Sequence, residues 1–393
     1  MFKWLVLLMT LLVQISFSFL NQGIGSVSRE IINEFELTSG QYGFLASCLM
    51  IGPLAGLYIA GRLLDTYGEK RIVLLGAVTL SATLFITAFV NNFVVLCFFF
   101  TLSGLGYCVS QPGGSKAIVQ WFDKKNRGLA MGIRQAGLPV SGGIAALVFP
   151  QLAMRYGWQS ALIFSGSFVL LCGLIFYGLY REPTNPSFVE EEGLNDQSHG
   201  LKENKFILAC LCGVVLVSVQ SILTVFYIPL LHFSLKIPVV RAGQFYFVLQ
   251  ISGALGRIIL ASFSDKTGLS REKVTYLCMV FCSLSCVLFY CFFKFNMSEV
   301  FIFLMSFITG FFCYGWYGPW ITWLAEIGPV QIAGARLGFA MSCNQVSIMV
   351  SPFLFGLISE YSAGGASNYW LISALVIMLF YFYLVRSEHS RSR

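Results

Sequence analysis

Charged residues are scarce in this sequence. Only 11% of its 393 residues are Asp, Glu, Lys or Arg, whereas soluble globular domains carry about 25%. Hydrophobic residues make up 57%, and the mean hydropathy is +0.76. The polar side chains are too few to cover a water-exposed surface, so we expect lipid to be the main solvent. This excludes an ordinary soluble enzyme and, despite a net charge of +7, a nucleic-acid-binding domain.

The sequence also lacks clustered metal ligands and paired nucleophiles. Its 12 cysteines lie singly in apolar runs, apart from Cys210 and Cys212, and His199, His232 and His389 lie near no cysteine or carboxylate cluster. Such spacing is typical of neither a disulfide framework nor a zinc site, and buried cysteine acts as a small hydrophobic residue. Without a nucleophile–base pair or a phosphate-binding loop, we predict no enzyme activity, no metal and no cofactor.

Long apolar runs dominate what is present. A helix needs about 20 apolar residues to cross a membrane, and such spans must be helical because hydrocarbon cannot satisfy backbone polar groups. No clean cleavage site follows the first run, so we interpret it as a membrane helix rather than a signal peptide. We predict an all-α membrane protein with twelve transmembrane helices, at residues 4–27, 41–63, 71–90, 93–121, 128–153, 159–180, 205–230, 241–262, 273–294, 299–324, 337–360 and 368–386.

A polar segment divides these helices into two sets of six. Residues 181–204 contain two prolines and three consecutive glutamates, a composition typical of a flexible linker. The chain is thereby predicted to consist of an N-terminal half at 1–180, a C-terminal half at 205–386 and a tail at 387–393.

Lys and Arg indicate the orientation. Most of them fall in loops on the side of the N-terminus, whereas the opposite loops hold only Arg29, Arg155, Lys236, Arg241 and Lys294. Positive residues favour the cytoplasmic side. We therefore expect a multi-pass protein of the inner (plasma) membrane with both termini, and the linker, in the cytoplasm.

The two halves echo each other at corresponding places. Four residues recur 200 positions later: Ile51, Gly56, Asp65 and Gly68 as Ile251, Gly256, Asp265 and Gly268. Chance identities are common among apolar helices, but these fall at matching helix ends. The echoes indicate a diverged duplication and hence two pseudo-symmetric halves.

The loop after the second helix carries a known pattern. Gly61, Leu63, Asp65, Gly68 and Lys70 resemble the G-x-L-x-D-R-x-G-R-[RK] loop of the major facilitator superfamily. The sequence departs from it at Thr66 and Glu69, where arginines are usual. The resemblance implies a secondary transporter of twelve helices in two halves, with gating roles for Asp65, Gly68, Asp265 and Gly268. The stretch 127–133 is similar to the nitrate and organic-anion porter branches.

Three basic residues fall inside predicted spans: Lys116, Arg134 and Arg257. A charge at the bilayer centre costs roughly 2.5–3.5 kcal/mol, and we find no Asp or Glu at comparable depth in the sequence. The substrate is therefore expected to supply the negative charge. Arg257 is the deepest, and it occupies a place where the monocarboxylate and oxalate porters that its helix resembles carry a substrate-binding arginine. Lys116 and Arg134 have snorkelling toward the surface as an alternative.

Other polar and aromatic residues recur at helical spacing and are predicted to line a substrate cavity. Interhelical hydrogen bonding is the alternative for each. Together with the three cations, the predicted binding residues are Gln14, Gln111, Gln220, Tyr227, Gln250, Gln345, Trp316 and Trp320.

These features predict a secondary active transporter that moves a small organic anion, a carboxylate, by alternating access. Proton symport and anion exchange both remain open. The alternative within the class is efflux of amphipathic compounds or a siderophore, which the aromatic tenth helix favours. A non-transporting receptor is a third reading, against which stands the lack of a signalling domain. The expected partners are the anion and the lipid bilayer, and the expected state is a monomer.

The charge asymmetry yields a topological prediction. A reporter fused after Arg393, or inserted near Glu191, should be active only in the cytoplasm, because both positions fall on the basic side. Reporter activity assays in both compartments check this. A periplasmic signal at either position would contradict the twelve-span arrangement.

Overall fold

The computed structural model describes residues 2–122, 124–181, 199–295, 298–327, 333–361, 370 and 372–383. All regular secondary structure in these residues is helical. The α-helices are α1 (Phe2–Gly23), α2 (Ser28–Glu34), α3 (Ser39–Tyr67), α4 (Glu69–Thr87), α5 (Phe93–Tyr107), α6 (Ser110–Trp121), α7 (Lys124–Tyr156), α8 (Gln159–Leu179), α9 (His199–Leu235), α10 (Val239–Thr267), α11 (Arg271–Phe295), α12 (Glu299–Cys313), α13 (Tyr317–Glu326), α14 (Ala333–Tyr361) and α15 (Ile372–Tyr383).

Within the described residues, 11 helical stretches are long and apolar enough to cross a membrane. A shorter apolar helix, α15, lies where the twelfth span is predicted. The first stretch runs over Phe2–Glu34 and is longer than the predicted 4–27, because a 3₁₀ turn over Ile24–Val27 joins α1 to α2. The predicted linker and tail lie mostly outside the described residues.

The predicted fourth and tenth spans each consist of two helices, which the sequence prediction did not include. The first break separates α5 from α6 at residues 108–109, and the second separates α12 from α13 at residues 314–316. Pro112 and Pro319 follow the breaks. Proline has no N–H for the carbonyl four residues earlier, which belongs to Cys108 in one break and Gly315 in the other. The Gly315 carbonyl instead accepts a hydrogen bond from the Gly318 N–H at 3.3 Å.

Proline alone does not explain the two breaks. Continuous helices contain Pro53, Pro139, Pro150, Pro229 and Pro352. Both broken spans have glycine directly beside the proline, in Pro112-Gly113-Gly114 and Gly318-Pro319, but the continuous helix α3 has the same feature at Gly52-Pro53. Glycine costs about 1 kcal/mol relative to alanine inside a helix, so two weak helix formers coincide there.

The echoed glycines pack against these breaks. A Cβ atom placed on Gly56 of α3 would lie 2.7 Å from the Sγ atom of Cys108, and one placed on Gly256 of α10 would lie 3.0 Å from the Cα atom of Gly315. Each helix therefore approaches its broken neighbour at a position that holds glycine. The repeat seen in the sequence corresponds to the same packing arrangement in both halves.

Contacts divide the chain into two compact units. Unit 1 comprises Met1–Phe188 and Thr224–Phe247, and unit 2 comprises Val189–Leu223 and Val248–Arg393. Helices α9 and α10 contribute to both units, so these units differ from the predicted halves at 180 and 205. The segment Thr224–Phe247 joins unit 1 through contacts such as the Tyr246 hydroxyl, which donates a hydrogen bond to the Gln22 carbonyl at 3.0 Å.

The echoed loop glycines have a backbone conformation that other residues avoid. Gly68, after α3, has φ 80°, and Gly268, after α10, has φ 70°. Positive φ brings the Cβ of an L-residue against its own backbone, whereas glycine has no Cβ. The Gly68 N–H also donates to the Leu64 carbonyl at 3.1 Å and so ends α3. Both glycines therefore have a backbone role that does not depend on gating.

We expect Gly268→Ala to lower the thermal unfolding midpoint of the purified protein. Nothing lies within 4 Å of the added Cβ atom, so the cost is backbone strain of roughly 1–2 kcal/mol. Gly338→Ala is the control, because its Cβ would also meet open space but within helix α14, where alanine is the better helix former. Equal midpoints for the two variants would contradict the assignment of strain to Gly268.

Candidate functional site

Arg134, on α7, is fully buried in unit 1 among neutral oxygen atoms. Its Nη2 atom donates to the Gln14 Oε1 atom at 2.7 Å and to the carbonyls of Ser110 at 2.7 Å and Gln111 at 3.2 Å. Its Nη1 atom donates to the Ser115 hydroxyl at 3.2 Å. None of these four partners carries a charge. The contacts hold the side chain within the unit, so Arg134 does not snorkel.

The sequence around the first helix break makes room for this guanidinium. Ser110 and Gln111 are the first two residues of α6, directly after the break, and both of their carbonyls accept hydrogen bonds from Arg134. A Cβ atom on Gly114, one turn further, would overlap the guanidinium of Arg134. The hydrogen-bonded network continues along α1, where the Gln14 Nε2 atom donates to the Ser18 hydroxyl at 3.1 Å.

Arg257, on α10, has an equivalent setting in unit 2. It is 6% exposed, and its Nε atom donates to the Tyr314 carbonyl, in the second helix break, at 3.1 Å. Its guanidinium carbon lies 5.0 Å from the centre of the Tyr317 ring, within the range of a cation–π interaction. A Cβ atom on Gly318 would collide with the Arg257 carbonyl, so glycine permits this approach too.

Trp316, in the second helix break, and Trp320, on α13, both hydrogen-bond to α9. Trp316 and Trp320 are fully buried. The Trp316 Nε1 atom donates to the Gln220 Oε1 atom at 3.0 Å, and the Trp320 Nε1 atom donates to the Ala209 carbonyl at 2.8 Å. Both bonds lie within unit 2. The Tyr314 hydroxyl donates to the Gln220 carbonyl at 3.3 Å and so adds a third hydrogen bond to α9.

The remaining predicted binding residues lie at different places. Gln250 is fully buried on α10, and Gln345 is half-buried on α14. Tyr227 belongs to unit 1, where its ring centre lies 5.8 Å from that of Tyr246. A binding role for these three stays a prediction.

Lys116 has an acidic partner, contrary to the sequence interpretation. Its Nζ atom lies 3.2 Å from the Glu69 Oε1 atom and donates to the Leu64 carbonyl at 3.0 Å. The Glu69 side chain is only 2% exposed, and its Oε1 atom also accepts a hydrogen bond from the Gln120 Nε2 atom at 3.0 Å. The sequence reading placed Glu69 in a loop, whereas it is the first residue of α4 and faces α6. A negative substrate is therefore not needed to compensate Lys116.

Comparison with known proteins identifies the family. Residues 6–352 match the Major Facilitator Superfamily. The chain belongs to this superfamily. The resemblance inferred from the loop after the second helix is thereby confirmed.

Several curated relatives are similar over much of the chain. An uncharacterized MFS-type transporter of Mycobacterium tuberculosis is 27% identical over 275 residues, which cover 69% of this chain and 61% of that protein. A gentisate transporter of Corynebacterium glutamicum is 23% identical over 90% of this chain and 81% of its own length. A probable galactarate/D-glucarate transporter of Escherichia coli is 23% identical over 97% and 93%.

Solved structures establish the fold. A bacterial homolog of the human lysosomal transporter Spinster aligns with a TM-score of 0.78 at 17% identity, over 98% of this chain and 97% of that one. A D-xylose–proton symporter aligns with a TM-score of 0.76 at 14% identity, over 95% and 97%. The prediction of an all-α membrane protein with the major facilitator fold is confirmed.

The ion pair between Lys116 and Glu69 involves a position where this chain departs from the superfamily loop pattern. Glu69 stands where that pattern has an arginine, so the charge is reversed, and the buried carboxylate pairs with a lysine from α6. The departure from the pattern was the available signal for Glu69, which the sequence reading missed. The side chains of Asp65 and Asp265 lie outside the described part of the structure, and their gating role stays a prediction.

Reversing the charge of Lys116 should lower the thermal unfolding midpoint sharply. In Lys116→Glu, two carboxylates would face each other. The Glu69 side chain is 2% exposed and that of Lys116 is 31% exposed, so the cost should lie between the ~1 kcal/mol of an exposed pair and the roughly 3–5 kcal/mol of a fully buried one. The double variant Glu69→Lys/Lys116→Glu restores opposite charges and should recover much of the loss. Thermal unfolding of parent, single and double variants measures this. Additive destabilisation in the double variant would show that the two residues are not energetically coupled.

Proposed function

We propose that this protein is a secondary transporter of a small organic anion that carries a carboxylate group, and that Arg257 is its principal ligand. The observation that carries the proposal is the setting of Arg257. Its side chain is 6% exposed, and a carbonyl and a tyrosine ring set its orientation. A buried guanidinium of fixed orientation suits a carboxylate, because charge-assisted hydrogen bonds are about twice as strong as neutral ones.

The geometry suits a planar, two-pronged partner. Guanidinium binds carboxylate through two parallel hydrogen bonds, and this requires a fixed orientation of its plane. The Nε bond to Tyr314 and the contact with Tyr317 together restrict that plane. Binding then costs less side-chain entropy than it would with a mobile lysine.

A binding role for Arg134, in unit 1, is likewise a proposal. Gln14 holds Arg134 through its side chain and Gln111 only through its backbone carbonyl, so only Gln14 would act through the arginine by its side chain. The names of two relatives agree with an anionic substrate. One is a gentisate transporter and the other a probable galactarate/D-glucarate transporter. We extend this chemistry to the present chain as part of the proposal.

The efflux alternative depended on the aromatic tenth span. Trp316 and Trp320 are fully buried, and both indole N–H groups donate to α9. This arrangement favours packing over contact with an amphipathic substrate. We therefore place organic-anion transport in the inner membrane by alternating access first, with charge balanced either by a co-transported proton or by anion exchange.

The proposal predicts that Arg257→Ala weakens anion binding at least tenfold. Losing one partner of a buried charge pair costs about 2–5 kcal/mol, and 1.4 kcal/mol already corresponds to a factor of ten. Arg257→Lys should restore little, because an ammonium group keeps the charge but loses the two-pronged geometry. Titration of the purified variants with gentisate and D-glucarate, followed by thermal shift, measures both effects.

Arg241→Ala provides the matched control. Arg241 is an exposed arginine near the start of the same helix, where its Nη1 atom donates to the Gln244 Oε1 atom at 2.6 Å. Its removal should leave anion affinity unchanged. If Arg257→Ala binds as tightly as the Arg241→Ala control, anion recognition by Arg257 is refuted.

A further inference from the structure

Asn344 carries a buried side-chain amide on α14. The residue is 4% exposed, and neither its Oδ1 nor its Nδ2 atom has a hydrogen-bond partner among the described residues. A carboxamide offers two donor hydrogens and an acceptor oxygen, and buried groups of this kind are nearly always bonded to protein, water or ligand. Leucine at a purely structural core position would avoid the free-energy cost of burying unbonded polar atoms, so the amide needs another explanation.

The serines that follow Asn344 on α14 are hydrogen-bonded. One turn later on α14, the Ser347 hydroxyl lies 2.6 Å from the Ser218 hydroxyl of α9 and donates to the Val214 carbonyl at 3.2 Å. Ser351, a further turn on, lies 3.4 Å from Ser347. The serines on this face of α14 thus satisfy one another and α9, whereas the amide of Asn344 does not take part.

Glycine and tryptophan shape the surroundings of the amide. A Cβ atom on Gly213 of α9 would lie 2.8 Å from the Asn344 Oδ1 atom and 2.5 Å from the Trp320 indole. Any larger residue at 213 would press on both side chains. The glycine therefore keeps the amide and the indole at their present places.

The amide and Arg257 lie on one aromatic cluster of unit 2, made of Trp316, Tyr317 and Trp320. The Trp320 ring lies 5.2 Å from Trp316 and 5.5 Å from Tyr317, centre to centre. Tyr317 in turn contacts the guanidinium of Arg257. The amide is thus connected through α13 to the proposed carboxylate ligand.

We infer that Asn344 is a substrate-binding residue that hydrogen-bonds a hydroxyl group of the transported anion, which makes the protein selective for hydroxylated carboxylates. The inference rests on the proposed function and goes further by naming the substrate class. A carboxylate can only accept hydrogen bonds, whereas a hydroxyl both donates and accepts and so matches both ends of the amide. Arg257 serves the carboxylate, and Asn344 serves the hydroxyl.

The test compares each hydroxylated acid with its deoxy analogue on the Asn344→Leu variant. The probes are 3-hydroxybenzoate with benzoate, and D-glucarate with adipate, titrated against the purified protein. Affinity for the hydroxylated acid should fall at least tenfold, while affinity for the deoxy acid changes less than twofold. The thermal midpoint without ligand should stay the same or rise, because leucine has no unbonded polar atoms to bury.

Ser347→Ala is the matched control on the same helix face. It removes a hydroxyl that is already bonded within the protein, so it should lower stability without changing the selectivity between the paired acids. If Asn344→Leu fails to fold, Asn344→Ala, which cannot overpack the site, should show the same loss of selectivity.

The role of Asn344 would be overturned if Asn344→Leu changed the affinity for both acids of a pair equally, or changed neither affinity. In that case the amide is buried for structural reasons or binds water only. Failure of the proposed function looks different, because the parent protein would then bind none of the four acids.

Discussion

Hydrogen bonds from buried arginines to backbone carbonyls at helix breaks organise both units. Arg134 donates to the carbonyls of Ser110 and Gln111, and Arg257 donates to that of Tyr314. A guanidinium in a membrane span needs acceptors, because hydrocarbon supplies none. The Tyr314 carbonyl lies within a break, whereas the carbonyls of Ser110 and Gln111 belong to the first turn of α6, directly after the other break.

Glycine permits this arrangement at each step. It weakens the helix beside Pro112 and Pro319, and at Gly114 it leaves room for the guanidinium of Arg134. The echoed pair Gly56 and Gly256 lets α3 and α10 pack closely on the broken spans. Close packing through small residues is a main source of helix association in lipid. The weak internal repeat thus preserves positions where backbones meet.

The buried charges differ in what their partners are. Lys116 is matched by the carboxylate of Glu69, so its charge is compensated within the protein. Arg257 is oriented by a carbonyl and an aromatic ring. A guanidinium whose plane is fixed in this way is suited to two-pronged binding of a carboxylate. An internal ion pair is suited to holding helices together.

The sequence by itself determined the helical class, the spans, the repeat and the presence of Arg134 and Arg257 in the membrane. Hydrocarbon imposes the same demand on every span, so length and composition are sufficient to recognise one. Only the tertiary structure decided the partner of Lys116, the hydrogen bonds of Trp316 and Trp320 to α9, and the lack of a partner for the Asn344 amide among the described residues. Those features depend on which faces of separate helices meet, and helical spacing within one segment carries no information about the neighbour across from it.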